Sequence, residues 1–300
     1  MQKAEMIAVD WGTTRFRAFL VAADGVTLAR AVADDGILSV ASGGFPAVLE
    51  KHCVAWLAQN PSIPVVMAGM VGSRNGWVEA PYRPCPATVS DIAESMVSVS
   101  NNDQHIAWII PGLSTRDASG TPDVLRGEET LAIGTGLTSG LVVLPGTHSK
   151  WVRMDQGRIV GFATFMTGEL YAILLSHTIL GRLREEPDDH GGFVKGLGAT
   201  RGPGGLSHQA FSARTSVLMG DLSGHSVASY ISGLLIGSEI SEGFAMEPDA
   251  EKIIVVAEGA LAEAYKLAFR TKEINVSFMT PDACFIDGLR RLGACRLGKT

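Results

Sequence analysis

The sequence has few cysteines, no excess of positive charge and no long apolar run. Its four cysteines show no C-x-x-C spacing, which argues against a disulfide framework or a cysteine-ligated metal. The net charge of −6 argues against nucleic acid and anionic membranes as partners. No apolar stretch approaches the roughly 20 residues of a membrane span, and no apolar signal segment precedes the first predicted strand. We therefore expect a soluble, cytoplasmic protein with reduced thiols.

Near its start the sequence contains a tight turn between two apolar stretches. The segment 7–21 is apolar up to Asp10, breaks at Gly12, Thr13 and Thr14, and then becomes apolar again. A glycine lets the backbone come close to a ligand, and its neighbours offer N–H and hydroxyl donors. A carboxylate at the end of a strand can hold a cation. The pattern therefore predicts a hairpin that binds phosphate and magnesium.

The chain repeats this pattern about half its length further on. Aligning Gly12 with Gly146 also aligns the flanking apolar runs, the hydroxyl residues and the turn that follows. The second copy has Leu144 where the first has Asp10, so only one half supplies an acid for a metal. Duplication of this kind predicts two related α/β domains that hold one ligand between them.

The two Gly-Thr hairpins resemble the phosphate-1 and phosphate-2 hairpins of sugar kinases, actin and Hsp70. That resemblance implies two duplicated ribonuclease H-like domains with an interdomain nucleotide cleft. More narrowly, the chain resembles the 2-dehydro-3-deoxygalactonokinase family, through segments spread over nearly its whole length. The matching segments are 10–13, 68–73 with 76–77 and 80–82, 126–129, 145–151, 166–169 and 233–237.

The family resemblance implies an activity and an organisation of the chain. The implied reaction transfers the γ-phosphoryl group of ATP, with Mg²⁺, to the C6 hydroxyl of 2-dehydro-3-deoxy-D-galactonate. Residues 1–127 would form a sugar-acid-binding domain and 128–300 a nucleotide-binding domain, and a homodimer is a family-level expectation. The alternatives are a kinase of the same fold for another sugar or sugar acid, and a nucleotide-gated binding protein of the actin or Hsp70 kind.

The resemblance also implies roles for single residues. Asp10 would orient Mg²⁺, and Glu128, at a predicted helix start, would accept the proton of the substrate hydroxyl. Related sugar kinases have aspartate at the catalytic position, so Glu129 stays open as the base. Both glutamates could instead only stabilise the positive end of the helix. The implied phosphate and nucleoside contacts are Gly12, Thr13, Thr14, Gly146, Thr147, His148 and Gly259.

A glycine-rich loop follows the predicted strand 63–68, and ligands bind beyond the carboxyl ends of strands in open α/β sheets. The family resemblance implies that this loop belongs to the sugar-acid site. The residues that the resemblance implies there are Gly72, Ser73, Trp77, Tyr82 and Arg126. Trp77 could equally be a packing residue. The cation that holds the substrate carboxylate stays open among Arg15, Arg126 and Lys150.

Periodicity predicts further elements. Residues 45–59 have helical spacing, with a buried stripe expected at Val48, Val54, Trp56 and Leu57. The polar, glycine-rich segment 184–226 predicts a mobile or variable excursion with a helix near 207–219. Small residues in the predicted helix 227–244 would allow close helix packing. A strand at 252–257, a turn at Gly259 and a helix follow, and the resemblance to sugar kinases implies that they form the adenosine motif.

Overall fold

The computed structural model describes residues 2–101, 105–202, 204–247 and 250–298. Its strands are β1 (Ala4–Trp11), β2 (Phe16–Ala22), β3 (Thr27–Ala33), β4 (Val65–Ala68), β5 (Arg83–Pro84), β6 (Val97–Asn101), β7 (His105–Ile109), β8 (Leu113–Arg116), β9 (Pro122–Leu125), β10 (Gly140–Leu144), β11 (Ser149–Asp155), β12 (Arg158–Phe165), β13 (Ile253–Val256) and β14 (Ser277–Met279). Its α-helices are α1 (Phe45–Gln59), α2 (Val89–Glu94), α3 (Glu128–Gly134), α4 (Thr167–His177), α5 (Phe193–Ala199), α6 (Leu206–Leu218), α7 (Val227–Met246), α8 (Gly259–Thr271) and α9 (Pro281–Arg296).

The chain divides into two compact units. The first comprises residues 1–139, 152–162 and 279–300, and the second comprises 140–151 and 163–278. These bounds differ from the predicted 1–127 and 128–300 because α3 packs against α9, which itself packs against β1 and β4. The assignment of sugar-acid binding and nucleotide binding to the two predicted domains stays a prediction.

The first unit is built on a six-stranded sheet of order β3-β2-β1-β4-β7-β6. The predicted hairpin is present, because β1 and β2 pair antiparallel with Asp10 opposite Arg17. Strands β1, β4 and β7 run parallel to one another. The core of this unit is apolar, and Ile7, Trp11 and Phe16 from the hairpin are fully buried in it.

A second sheet has five strands in the order β12-β11-β10-β13-β14, of which β10 and β13 lie wholly in the second unit. Numbered by their order along the chain, these five strands lie in the order 3-2-1-4-5 across the sheet. The strands β3, β2, β1, β4 and β7 of the larger sheet lie in the same order. The first strand of each set again pairs in parallel with the fourth, as β10 does with β13. The predicted duplication of an α/β fold is therefore confirmed.

Helix α1 has the predicted bounds, but its buried face differs from the predicted stripe. The residues in the core are Phe45, Leu49, Cys53 and Leu57, which repeat every four positions on one side of the helix. Val54 is half exposed, so the prediction that it is buried was wrong.

The segment 184–226 contains more regular structure than its composition predicts. It forms α5 and α6, whose apolar residues, including Leu197 and Ala213, contribute to the core of the second unit. Helix α5 packs closely on α7, where a Cβ on Gly233 would lie 2.0 Å from the Phe193 carbonyl oxygen. The predicted close packing through small residues is therefore confirmed. No helix in the described part of the chain is long and apolar enough to cross a membrane.

Candidate active site

The carboxyl ends of β1 and β4 lie side by side in the first unit. Asp10 is paired in register with Ala68, the last residue of β4. The next residue, Gly69, has a φ of 95°, and a Cβ there would lie 3.3 Å from Asp10 Oδ1. A Cβ on Gly127, just before α3, would lie 3.4 Å from Gly69 Cα. Asp10 and the start of α3, the two predicted catalytic positions, therefore lie close together.

Asp10 is held in place by one arginine. Arg17 donates to Asp10 Oδ2 through Nε at 3.0 Å and also through Nη2.

Among the described residues no group of three or more His, Cys, Asp or Glu could hold a metal ion. Mg²⁺ usually keeps several waters and binds through one or two carboxylates and substrate phosphates. Asp10 alone therefore meets what Mg²⁺ needs from the protein when substrate phosphates supply further ligands.

The turn between β1 and β2 uses the Gly12 amide for its own closure. This N–H donates to the Arg15 carbonyl at 2.9 Å. Two carbonyls of the turn accept backbone N–H groups from residues 37–38 at 3.0 and 3.2 Å, which brace it. Thr13 and Thr14 are exposed. Thr13 and Thr14 are therefore accessible to a ligand, whereas the Gly12 N–H is used within the turn.

Helix α3 begins with two glutamates in different surroundings. Glu128 is half-buried, and its Oε2 accepts the backbone N–H of Arg126 at 2.9 Å. Glu129 is fully buried, and its Oε2 accepts the Gly127 N–H at 2.7 Å. Burial, and then the charge of Glu128, raise the pKa of Glu129 to about 7. Both side chains cap the helix start, but of the two only Glu128 reaches solvent.

The Arg126 guanidinium lies against the loop that follows β4. Its Nη2 donates to the Ala80 carbonyl at 2.9 Å, and its Cζ lies 4.4 Å from the centre of the Tyr82 ring. A Cβ on Gly72 would lie 3.0 Å from Nη1. Nε and Nη1 are buried without a hydrogen-bond partner. The structure thus brings Gly72, Tyr82 and Arg126 together next to Glu128, with two donors unsatisfied.

The other two residues predicted to contact the sugar acid are Trp77 and Ser73. Trp77 packs in the core, stacked on Phe45 with ring centres 6.3 Å apart and edge-on to Trp11. The Ser73 hydroxyl is buried and has no partner within the described structure. Trp77 is therefore a packing residue in this structure, and its contact with substrate stays a prediction.

The second hairpin turn, between β10 and β11, closes between the same two positions as the first, but onto a side-chain hydroxyl in place of a backbone carbonyl. The Gly146 N–H donates to Ser149 Oγ at 3.3 Å, and the next residues, Thr147 and His148, are exposed. The start of α4 holds this turn, because Glu169 N–H donates to the Thr147 carbonyl at 3.0 Å. His148 Nε2 also lies within hydrogen-bonding distance of the Glu169 carboxylate. The turn and the start of α4 therefore form one local structure.

A cavity of about 250 Å³ lies beside this hairpin, within the second unit. The hairpin and α4 form one part of its wall, and α7 and α8 form the rest. Its lining is mostly apolar and includes Gly146, Thr167, Tyr171, Ser232, Ala264 and Tyr265. Gly259, at the start of α8, has no atom within 4 Å of the position of a Cβ. An apolar cavity with a few hydroxyl groups is the usual form of a small-molecule site.

Comparison with known proteins identifies the family. The family model for 2-keto-3-deoxy-galactonokinase matches residues 10–292. The chain belongs to this family. It is 37% identical over 292 residues to the 2-dehydro-3-deoxygalactonokinase of Escherichia coli (strain K12), covering 96% of this chain and 97% of that protein. It is 36% identical over 291 residues to "Probable 2-dehydro-3-deoxygalactonokinase DgoK1" of Rhizobium meliloti (strain 1021), covering 94% of each.

Solved structures agree with this result. A "putative 2-dehydro-3-deoxygalactonokinase protein" from Sinorhizobium meliloti has a TM-score of 0.88 and 33% identity, covering 96% of this chain and 98% of that one. An activator of 2-hydroxyisocaproyl-CoA dehydratase from Clostridium difficile has a TM-score of 0.51 and 12% identity, covering 98% and 96%, and shows the fold alone. The predicted α/β fold class and the predicted enzyme class, a kinase, are confirmed.

In this member of the 2-keto-3-deoxy-galactonokinase family, sequence reasoning missed most of the cavity lining and one buried carboxylate. Tyr171 and Ala264 lie on helices whose apolar pattern gives no sign of a ligand. Glu239 is 2% exposed inside α7. An acidic residue that follows a long run of small and apolar residues in the helix is the signal that could have identified Glu239.

Proposed function

We propose that this enzyme transfers the γ-phosphoryl group of ATP to the C6 hydroxyl of 2-dehydro-3-deoxy-D-galactonate. The whole-length family match supports the substrate class and the reaction. The cluster of Arg126 and Glu128 beside Asp10 carries the proposal, because it combines a cation, a candidate base and a metal carboxylate in one unit. Phosphoryl transfer needs positioning and charge neutralisation more than covalent participation by the protein.

Arg126 is the group that we propose for the substrate carboxylate. Its unsatisfied Nε and Nη1 donors favour it over the other two candidates. Lys150 is buried and donates to Thr164 Oγ1 at 2.7 Å, and Arg15 lies in the exposed hairpin turn. Tyr82, which is 43% exposed, covers the guanidinium, so we propose that it moves aside when the carboxylate binds.

Glu128 is the base that we propose for the C6 hydroxyl. Its Oε2 accepts the backbone N–H of Arg126, so the residue that would hold the substrate also fixes the position of the base. Glu129 is less suited to this role because it is fully buried. A positioned general base typically contributes about 10²- to 10⁴-fold in rate.

Asp10 is the carboxylate that we propose for Mg²⁺, which when bound would neutralise charge on the nucleotide phosphates. Arg17 fixes this side chain through Oδ2. Thr13 and Thr14 would bind phosphate through their exposed hydroxyls and amides. Gly12 would contribute by closing the turn, because its own N–H is used there.

The cavity in the second unit is the site that we propose for the nucleoside. Gly146 lines it at the hairpin, and the helix that begins at Gly259 lines it from the other side. Thr147 and His148, exposed in the same turn, would bind phosphate. From the family resemblance we also propose a cytoplasmic homodimer, which light scattering and cell fractionation would test.

A coupled ADP-release assay with MgATP tests the proposed reaction. The panel would hold 2-dehydro-3-deoxygalactonate, its gluconate epimer, galactose and glucose, with ³¹P NMR locating the new phosphate. Turnover of the galactonate acid with phosphate at C6 is the expected result. Turnover of only another sugar or sugar acid would support the assignment as a kinase and contradict the proposed substrate. Nucleotide binding without turnover of any of these compounds would favour the actin- or Hsp70-like alternative.

A further inference from the structure

Glu239 is a buried carboxylate that the proposed reaction does not use. It lies in the middle of α7 and is 2% exposed. It accepts hydrogen bonds from Trp151 Nε1 at 2.9 Å, from the Tyr265 hydroxyl at 2.7 Å and from the Thr167 hydroxyl. A buried charge is costly unless it is hydrogen-bonded, so burial of a glutamate at this position requires such partners.

The partners of Glu239 come from three different elements around the cavity. Trp151 lies on β11, Thr167 is the first residue of α4, and Tyr265 lies on α8. Thr167 and Tyr265 also line the cavity. Through Thr167 and Tyr265, Glu239 therefore connects α4 and α8, which form part of the cavity wall.

The network continues to the hairpin turn. Burial and the Glu239 carboxylate raise the pKa of Tyr265 well above its usual value, so the phenol keeps its proton and donates it to Glu239. The Tyr265 oxygen can then accept from Ser149 Oγ, which lies 3.4 Å away. Ser149 Oγ in turn accepts the Gly146 N–H at 3.3 Å. One directed chain of donors thus runs from the turn amide to the buried carboxylate.

We propose that Glu239 is a positioning residue for nucleotide binding. Through Thr167 it holds the start of α4, and through Tyr265 and Ser149 it holds the hairpin turn, so that both stay in place around the cavity. The inference rests on the proposed nucleoside site. Groups behind a binding site that fix the groups lining it are a common source of precise geometry.

Binding of MgADP to the full chain, measured by titration calorimetry, tests the inference. Tyr265→Phe cuts the link to Ser149, and Thr167→Val cuts the link to α4, each with little change in volume. Both are expected to weaken MgADP binding about fivefold or more, because the hairpin turn or the start of α4 is then no longer held in place and binding has to order it. Glu239→Gln, which keeps one carbonyl oxygen for Trp151, should bind more tightly than Glu239→Leu.

Ser238→Ala is the matched control. Ser238 neighbours Glu239 on α7, is 8% exposed and donates to Glu242 Oε1 at 2.8 Å, outside the network. This variant is expected to lose stability but to bind MgADP as the wild type does. A network that only supports the fold would lower the melting temperature of the network variants without changing their MgADP affinity.

The outcomes separate the two proposals. Wild-type affinity in both Tyr265→Phe and Thr167→Val overturns the role of Glu239 and leaves the nucleoside site standing. Failure of the wild type to bind MgADP overturns the nucleoside site itself. In steady-state kinetics, the network variants should raise the KM for ATP and leave the KM for the sugar acid unchanged. A rise in the sugar-acid KM alone would contradict the inference.

Discussion

Asp10 and Arg17 face each other on paired strands of the first hairpin, and both hydrogen bonds between them end on Asp10 Oδ2. Arg17 Nη1 also donates at 2.8 Å to Asp282 Oδ1 in the first turn of α9. The proposed metal carboxylate is therefore oriented by an arginine that is itself anchored to a helix. Pre-organisation of this kind reduces the rearrangement needed when a charged ligand binds.

Asp10→Asn is expected to lower kcat by at least about 100-fold, because it removes the proposed metal carboxylate and the charge stabilisation that the metal supplies. The amide oxygen can still accept from Arg17, so the fold should persist. ADP release would be measured over a range of Mg²⁺ concentrations. Asp282→Asn removes the charge of the other carboxylate that pairs with Arg17, and its kcat should stay within about threefold of the wild-type value. Near wild-type turnover of Asp10→Asn would contradict the metal assignment.

Arg126→Gln is expected to raise the KM for the sugar acid about tenfold or more, because a charge-assisted hydrogen bond to the carboxylate is lost. The KM for ATP should stay unchanged. Arg15→Gln is the control, since Arg15 is an exposed cation in the first hairpin turn. The assignment would be wrong if Arg15→Gln raised the sugar-acid KM and Arg126→Gln did not.

Ala264→Phe is expected to raise the KM for ATP and leave the KM for the sugar acid unchanged, because the larger side chain would occupy the cavity. Leu267→Phe is the matched control on the same helix, at a position that is 38% exposed. Melting temperatures of both variants would show whether Ala264→Phe overpacks its surroundings. An unchanged ATP KM in a folded Ala264→Phe protein would place the nucleoside elsewhere.

Glu129 should make stability depend on pH. Its pKa is raised in the folded protein from 4.5 to about 7, so its stabilising contribution is present below about pH 4.5 and is lost as the pH rises through about 7. Glu129→Gln mimics the protonated acid. Its free energy of unfolding should equal that of wild type near pH 4.5 and exceed it at pH 8 by up to about 3 kcal/mol.

Urea unfolding of both proteins between pH 4.5 and 8 checks this prediction. Aspartates whose pKa is lowered in the fold, such as Asp91 and Asp287, are the same in both proteins and cancel in the difference. A constant difference across the pH range would mean that Glu129 is not protonated on folding.

The sequence was enough to predict features that depend on local pattern. The hairpin around Gly12 follows from turn residues and apolar runs, and the start of α3 at Glu128 follows from the family resemblance. The structure has both. The helix 45–59 is also correct in its bounds. Its buried face was not predictable in detail, because whether Val54 faces core or solvent depends on what packs against the helix.

Features that depend on long-range contacts could not be predicted. The bonds of Glu239 to Trp151 and Thr167 join residues 88 and 72 positions away in the chain. The packing of Trp77 between aromatic rings is likewise a tertiary contact, and the sequence alone left it open. Glu128 and Glu129 could not be separated by sequence, because only the folded helix buries Glu129 fully and leaves Glu128 half-buried.

The turnover of Glu128→Gln, measured beside Glu129→Gln, tests the central proposal most directly. Both variants are isosteric and lie at the same helix start, so their effects on helix capping should be similar. We expect kcat of Glu128→Gln to fall about 10²- to 10⁴-fold with an intact KM for ATP, and Glu129→Gln to stay near wild type. Near wild-type turnover of Glu128→Gln, or loss of turnover only in Glu129→Gln, would contradict the assignment of Glu128 as the base.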